Sequence, residues 1–241
     1  MIYVTSDIHG YPLDNFKDFL EKVGFSRDDF MYILGDVIDR GPDGVKLLKW
    51  LMLQPNVELL LGNHEAMMLA CDFLFDEITE GSISDLTGRK LNTYRTWESN
   101  GGYTTINALS SIRDKEIQYI LEYLREAPLY ETVTVNGRDF VFVHSGLGGF
   151  RKDKRLSEYT PSELLWSRPD LNTRYYDDVT VVFGHTPAVY FGNEYSGKII
   201  MTDTWINVDV GIAVGQEPCL LRLDDMKEFY YRDFNKGDKN D

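Results

Sequence analysis

Apolar and polar positions along this chain switch repeatedly between the two-residue period of strands and the 3.6-residue period of helices. Ile2, Tyr3 and Val4 predict a short first strand. Leu13, Phe16, Phe19, Leu20 and Val23 then share one helical face, with Pro12 near its start and Gly24 as its C-terminal cap. Residues 30–34 predict a second strand and 57–61 a third. Between them, 44–53 reads as a helix that turns Val45, Leu48, Leu51 and Met52 inward. Three strand–loop–helix units in succession predict an α/β fold, and in such folds ligands gather beyond the carboxyl ends of the strands.

Residues 67–75 continue as an apolar helix. The pattern weakens and turns polar from 76 to 100, and Asn100-Gly101-Gly102 opens another helical stretch. Ile117, Ile120, Leu121 and Leu124 align strongly within 115–125. The span 76–128 therefore reads as a mostly helical cap within a single domain covering 1–241. Residues 132–135 and 140–143 flank Asn136-Gly137, a hairpin signal with a type I′ turn. Further strands are expected at 179–183, 198–201, 205–208, 219–223 and 229–232, with a frayed tail at 237–241.

The ends of the predicted strands carry the chemistry. The chain has four histidines and each sits in a short motif. They are His9 in Asp7-Ile8-His9-Gly10, His64 in Gly62-Asn63-His64-Glu65, His144 in Val143-His144-Ser145-Gly146, and His185 in Gly184-His185-Thr186. Gly35-Asp36-Val37-Ile38-Asp39-Arg40-Gly41 lies between the first two. Imidazole and carboxylate are the natural ligands of divalent transition metals. Asp7, His9 and Asp36 make one ligand set. Asp36, Asn63, His144 and His185 make a second, with Asp36 bridging through its two oxygens. Such a pair, with ions about 3.5–4 Å apart, lowers the pKa of a shared water and clamps an in-line transition state. The mixed oxygen and nitrogen donors suit Mn first, with Fe or Zn as alternatives.

Arg40, four residues after Asp36, and Arg168, in Trp166-Ser167-Arg168-Pro169, are the candidate phosphate forks. His64 follows Asn63 directly, so it is expected to face the site without ligating and to protonate a leaving oxygen. Asp39 is expected to fix its tautomer and hold its pKa high enough to keep a proton. An isolated Asp-x-His or Gly-Asp is more often a plain turn. Five such motifs in order argue otherwise.

Composition narrows the partners. The chain has 241 residues, 43% of them apolar, which suffices for a full core. With 39 acidic against 25 basic residues the formal charge is −14, which repels nucleic acid and anionic membranes. Arg151, Lys152, Lys154 and Arg155 form a local basic cluster, read as a solvated loop rather than a phosphopeptide contact. Cys71 and Cys219 fit no metal or redox spacing and are expected to be buried free thiols. Together with the lack of a secretory pattern and of any long apolar run, this places the chain in the cytoplasm.

The motifs together resemble the phosphoprotein phosphatases of the calcineurin-like metallophosphoesterases. The match runs in order from Asp7 to His185, and Asn207-Val208-Asp209-Val210-Gly211 resembles the Asn-Ile-Asp-x-Gly strand of the short bacterial and phage members. The resemblance implies a two-sheet β-sandwich flanked by helices, two metals at one edge, and hydrolysis of phosphomonoesters without a covalent intermediate. By motif position it makes Asp7, His9, Asp36, Asn63, His144 and His185 metal ligands. Arg40 and Arg168 become phosphate binders, and Asp39 with His64 the acid pair. Gly184-His185-Thr186-Pro187 in place of Gly-His-x-His disfavours a nuclease. A serine/threonine protein phosphatase acting on phosphorylated protein or small phosphoesters is the first expectation, because diadenosine tetraphosphatases commonly lack the Asp39-Arg40 pair. A dinucleoside polyphosphate hydrolase is the alternative. A non-catalytic phosphate-binding scaffold is a third reading, which would have no need of His64.

Overall fold

A computed structural model describes residues 1–75 and 87–235. The expected tail at 237–241 and the polar run 76–86 lie outside the described residues. The strands are β1 (Ile2–Thr5), β2 (Phe30–Ile33), β3 (Val57–Leu59), β4 (Tyr130–Val135), β5 (Arg138–Val143), β6 (Val179–Phe183), β7 (Ile200–Met201), β8 (Trp205–Asn207), β9 (Cys219–Arg222) and β10 (Lys227–Tyr230). They form two five-stranded sheets, ordered β10-β9-β1-β2-β3 and β4-β5-β6-β8-β7. β1, β2 and β3 pair parallel, as do β5, β6 and β8, so the motif-bearing ends of each trio emerge on one side. Hairpin partners β10 and β4 complete one edge of each sheet.

Strand alternation explains the layers. Val4, Phe140, Phe142, Val182, Ile206 and Leu221 meet between the sheets in one apolar cluster. Their neighbours point the other way. Tyr3, Met31 and Ile33 pack under helices, while Val141, Val143, Val181 and Phe183 join Trp205 on the far face. The resulting sandwich with flanking helices is the architecture the motifs implied.

The helices are α1 (Leu13–Val23), α2 (Gly44–Leu51), α3 (Asn63–Ala70), α4 (Gly88–Trp97), α5 (Tyr103–Leu109), α6 (Asp114–Glu126), α7 (Pro161–Leu165) and α8 (Tyr231–Phe234). α1 ends at Gly24, whose φ of 80° is the left-handed cap conformation. Asn136 and Gly137 both take positive φ in the β4–β5 turn, as a type I′ turn requires.

Three boundaries differ from the sequence reading. α3 starts at Asn63, inside the motif itself, because a Glu65 carboxylate oxygen accepts the Gly62 amide and closes the helix start. The polar stretch before Asn100 contains α4, whose apolar contribution is concentrated in the fully buried Trp97. Residues 231–232, expected as strand, open α8. The described part of the expected cap does not stand apart. Trp97, Leu109, Ile117 and Leu124 belong to the same apolar cluster as Phe16 and Leu48.

Both cysteines are buried and free, as expected. Burial pushes the Cys71 thiol up to about 11. Every member of the basic cluster has an acidic partner: Arg151 with Asp153, Lys152 with Asp177, Lys154 with Glu163 and Arg155 with Glu158. A solvated, internally neutralised loop accounts for it. Among the described residues no helix is long and apolar enough to cross a membrane.

Candidate active site

All the motifs converge where the parallel strands of both sheets end. Asp7 and His9 do not lie on extended chain. Both have left-handed backbone, with φ of 53° and 45°. Asp36, Asp39, Arg40 and His185 do too, so among the described residues six of the eight non-glycine residues with positive φ lie in the motif loops. Each such residue costs on the order of 1 kcal/mol, and strain of this kind collects at functional sites.

A dense set of backbone bonds holds the loops in that form. The His9 amide donates to the Asp36 carbonyl at 2.9 Å and the Gly10 amide to Val37 at 2.7 Å. The His64 amide donates to Asp36 Oδ1 at 3.0 Å, and the His185 amide to Asp7 Oδ2 at 2.8 Å. The glycines before Asp36, Asn63 and His185 permit this closeness. A Cβ on Gly62 would overlap Asp36 Oδ1, and one on Gly184 would overlap Asp7 Oδ2.

Glu65 is a residue the sequence reading quoted but gave no role. Its carboxylate accepts the amides of Asp36, Val37, Ile38 and Gly62, at 2.8, 2.8, 3.2 and 3.1 Å, with no solvent exposure. Burial pushes its pKa up and the amides oppose that. Its place three residues into the helix, after Gly62, was the available signal. Glu65→Gln removes one acceptor and the charge, so it should lower stability by about 2–4 kcal/mol. An unchanged midpoint in urea denaturation would refute this role.

The donor atoms form two groups around Asp36. In one, His144 Nε2 lies 2.8 Å from Asn63 Oδ1, 3.2 Å from His185 Nδ1 and 3.5 Å from Asp36 Oδ1. His185 Nδ1 is also 2.8 Å from Asn63 Oδ1. In the other, His9 Nε2 lies 3.8 Å from Asp7 Oδ1 and 3.7 Å from Asp36 Oδ2. Donors at these separations fit around single ions with bonds of about 2.0–2.2 Å. The remaining ring nitrogens of two ligand candidates face backbone carbonyls, His9 Nδ1 to Ile38 and His144 Nδ1 to Leu34, which sets their tautomers.

Electrostatics points the same way. Asp7, Asp36, Glu65 and Asp209 are all at most 2% exposed. Burial raises all four, and the charges of Asp7 and Glu65 push Asp36 up further. Burial, then His144 and Arg168, hold His185 down at about 2, so it is neutral and free to donate a lone pair. Divalent cations among these carboxylates would remove the repulsion.

His64 stands beside both groups. Its Nε2 is 3.8 Å from Asp36 Oδ2, as near as the His9 nitrogen, so distance alone makes it a rival ligand. Its ring is otherwise engaged. Nδ1 donates to Asp39 Oδ2 at 2.6 Å, and Nε2 faces an Arg40 guanidinium nitrogen at 3.2 Å. Asp39 also accepts from Trp97 Nε1 at 2.9 Å and Thr105 Oγ1 at 2.6 Å. Trp97 and Thr105 were not foreseen as site residues. They come from the cap segment, and nothing in their local sequence announces it.

The sequence reading expected Asp39 to keep His64 protonated. Burial opposes this in the resting site. Burial, followed by Arg40 and His144, depresses His64 to about 3. Burial raises Asp39 only to about 6, so the pair rests as carboxylate and neutral imidazole at neutral pH.

Arg40 and Arg168 both reach the site from its exposed rim. They line, with Asp7, His9, Asp36, Asn63, His185 and Asp209, a cavity of about 130 Å³. Arg168 donates to Thr186 Oγ1 at 3.3 Å. Its segment is held by Ser145, whose hydroxyl donates to the Leu164 carbonyl at 2.7 Å and accepts the Ser167 amide at 2.8 Å.

Known proteins resemble this chain in sequence or in fold. The symmetrical bis(5'-nucleosyl)-tetraphosphatase of Acidovorax sp. (strain JS42) is 30% identical over 166 residues, covering 68% of this chain and 47% of that protein. The chain thus spans about half the length of that curated relative. A solved protein described provisionally as a diadenosine tetraphosphatase has a TM-score of 0.62 at 17% identity, covering 95% of this chain and 91% of its own. A cold-active protein tyrosine phosphatase scores 0.60 at 19% identity, covering 95% and 76%. At these identities the two structures speak for the fold. The profile of calcineurin-like phosphoesterases matches residues 1–213, motif loops included, and the chain therefore belongs to the calcineurin-like phosphoesterase family.

Proposed function

We propose that this chain is a metal-dependent phosphoric ester and anhydride hydrolase whose substrates are dinucleoside polyphosphates. The observation that carries the hydrolytic reading is the division of Asp36. Its Oδ1 faces the His144 group and its Oδ2 faces the His9 group. Asp7, His9 and Asp36 would hold one divalent ion, and Asp36, Asn63, His144 and His185 the other. When bound, the pair supplies an activated water and a positively charged clamp for the phosphoryl group.

The chain's own residues do the rest. Arg40 and Arg168 orient the phosphoryl oxygens from the rim. Arg40 turned onto phosphate no longer opposes charge on His64, and the substrate's negative charge favours the imidazolium. His64 Nε2 then delivers a proton to the leaving oxygen while Asp39, fixed by Trp97 and Thr105, supports the ring.

On substrate the relatives favour what the sequence reading held as its alternative. A curated relative matching two thirds of this chain is a dinucleoside tetraphosphatase by name. The Asp39-Arg40 pair supports a second reading, a serine/threonine protein phosphatase. Rates with Mn, Fe or Zn on diadenosine tetraphosphate, a phosphoserine peptide and an aryl phosphate separate them. We expect kcat/KM on the dinucleotide to exceed the peptide value by at least roughly tenfold, about 1.4 kcal/mol. A higher value on the peptide would overturn the substrate assignment, and no turnover of any of them by folded, metal-loaded protein would overturn the hydrolase.

A further inference from the structure

The 130 Å³ cavity at the metal-ligand candidates has room for a phosphoryl group but not for a nucleoside. Beside it opens a second cavity of about 640 Å³, within the range of small-molecule sites. Arg168 and Tyr190 line both. Leu171, Phe191, Asn172 and Thr186 line only the larger one. Resting on the dinucleoside polyphosphate reading, we propose that this second cavity is a nucleoside subsite in which Tyr190 stacks on the base.

Six observations support one occupant. Arg168 at the seam can follow a phosphate chain from the smaller cavity into the larger, so the occupant carries phosphate at one end. Pro169, Leu171, Tyr190 and Phe191 give the larger cavity apolar and aromatic surface for a flat ring, beside the polar Asp170, Asn172 and Thr186. Tyr190 is 69% exposed, against 55% for Tyr103 and 48% for Tyr119, so its ring is open to a ligand. The next residue, Phe191, is anchored on Trp205, with ring centroids 5.7 Å apart, so this wall is braced from the core. The segment carrying both aromatics follows His185-Thr186-Pro187 directly, and the Ala188 amide donates to the Asp209 carbonyl at 2.9 Å, which fixes the subsite to the catalytic edge. Asn172 offers an amide that can pair with a base edge. A phosphopeptide would present no flat ring to Tyr190 as a rule, so the same wall argues for a nucleoside.

Binding and rate test this separately. Calorimetry on the Mn-loaded chain would compare α,β-methylene-ADP with methylenediphosphonate, two probes with the same non-hydrolysable phosphorus bridge. We expect the nucleotide to bind at least roughly tenfold more tightly, with Tyr190→Ala removing most of that difference and Tyr190→Phe keeping it. Equal affinity for the two probes, or an advantage that survives Tyr190→Ala, would overturn the subsite. In turnover, Tyr190→Ala should lower kcat/KM on diadenosine tetraphosphate by about tenfold, while Tyr190→Phe, which keeps the ring, should stay within about twofold of the parent chain. An equal loss in both variants would overturn the stacking role. A wild-type chain that turns over the aryl phosphate but not the dinucleotide would sink the substrate reading. The binding comparison still decides the subsite in that case.

Discussion

Asp36→Asn should empty both metal positions together and lower turnover at least roughly a thousand-fold, about 4 kcal/mol of barrier. The reason lies in where its two oxygens sit. Oδ1 is 3.5 Å from His144 Nε2 and Oδ2 is 3.7 Å from His9 Nε2, so one carboxylate serves both donor groups. An amide can keep the bond from the His64 amide through its oxygen, but its nitrogen has no lone pair for a cation. A second consequence has the opposite sign. Asp36 is buried among Asp7 and Glu65, and their charges raise its pKa. Neutralising it should stabilise the metal-free chain by about 1–2 kcal/mol while it abolishes activity. Elemental analysis and calorimetry of the chelated protein check the two halves. Full occupancy of two ions in the variant would refute the bridge.

His64→Asn should keep both ions and lose roughly 10²–10⁴ in turnover on substrates with poor leaving groups. On an aryl phosphate, whose leaving oxygen needs little proton help, the loss should be much smaller. This contrast follows from the ring's engagement with Asp39 and Arg40 rather than from its nearness to Asp36. Loss of one ion on this substitution would make His64 a ligand. Equal losses on both substrates would deny it a proton-transfer role. Asp39 belongs to the same unit, since it accepts from His64, Trp97 and Thr105.

Much of the candidate site was legible because metal chemistry restricts residue types. Asp7, His9, Asp36, Asn63, His144 and His185 could be picked from short motifs, since few other side chains offer neutral nitrogen or anionic oxygen donors. Arg40 and Asp39 came with the same loop. What eluded the sequence was everything that works through the backbone or from a distance. Glu65 acts by accepting four amides, and a buried glutamate looks in sequence like an exposed one. Trp97 and Thr105 reach Asp39 from helices more than fifty residues away. The left-handed backbone at Asp7 and His9 was hidden because neither is a glycine.

The amino-acid pattern by itself determined that strands alternate with helices, which faces of those strands are apolar, and which side chains can bind a cation. These are local properties, set by period and by side-chain chemistry. Tertiary structure decided how the strand ends meet, that Asp36 turns one oxygen to each donor group, and that His64 is buried between Asp39 and Arg40. Those depend on separations of a few ångströms and on exclusion of water, and both exist only once the two sheets have packed together.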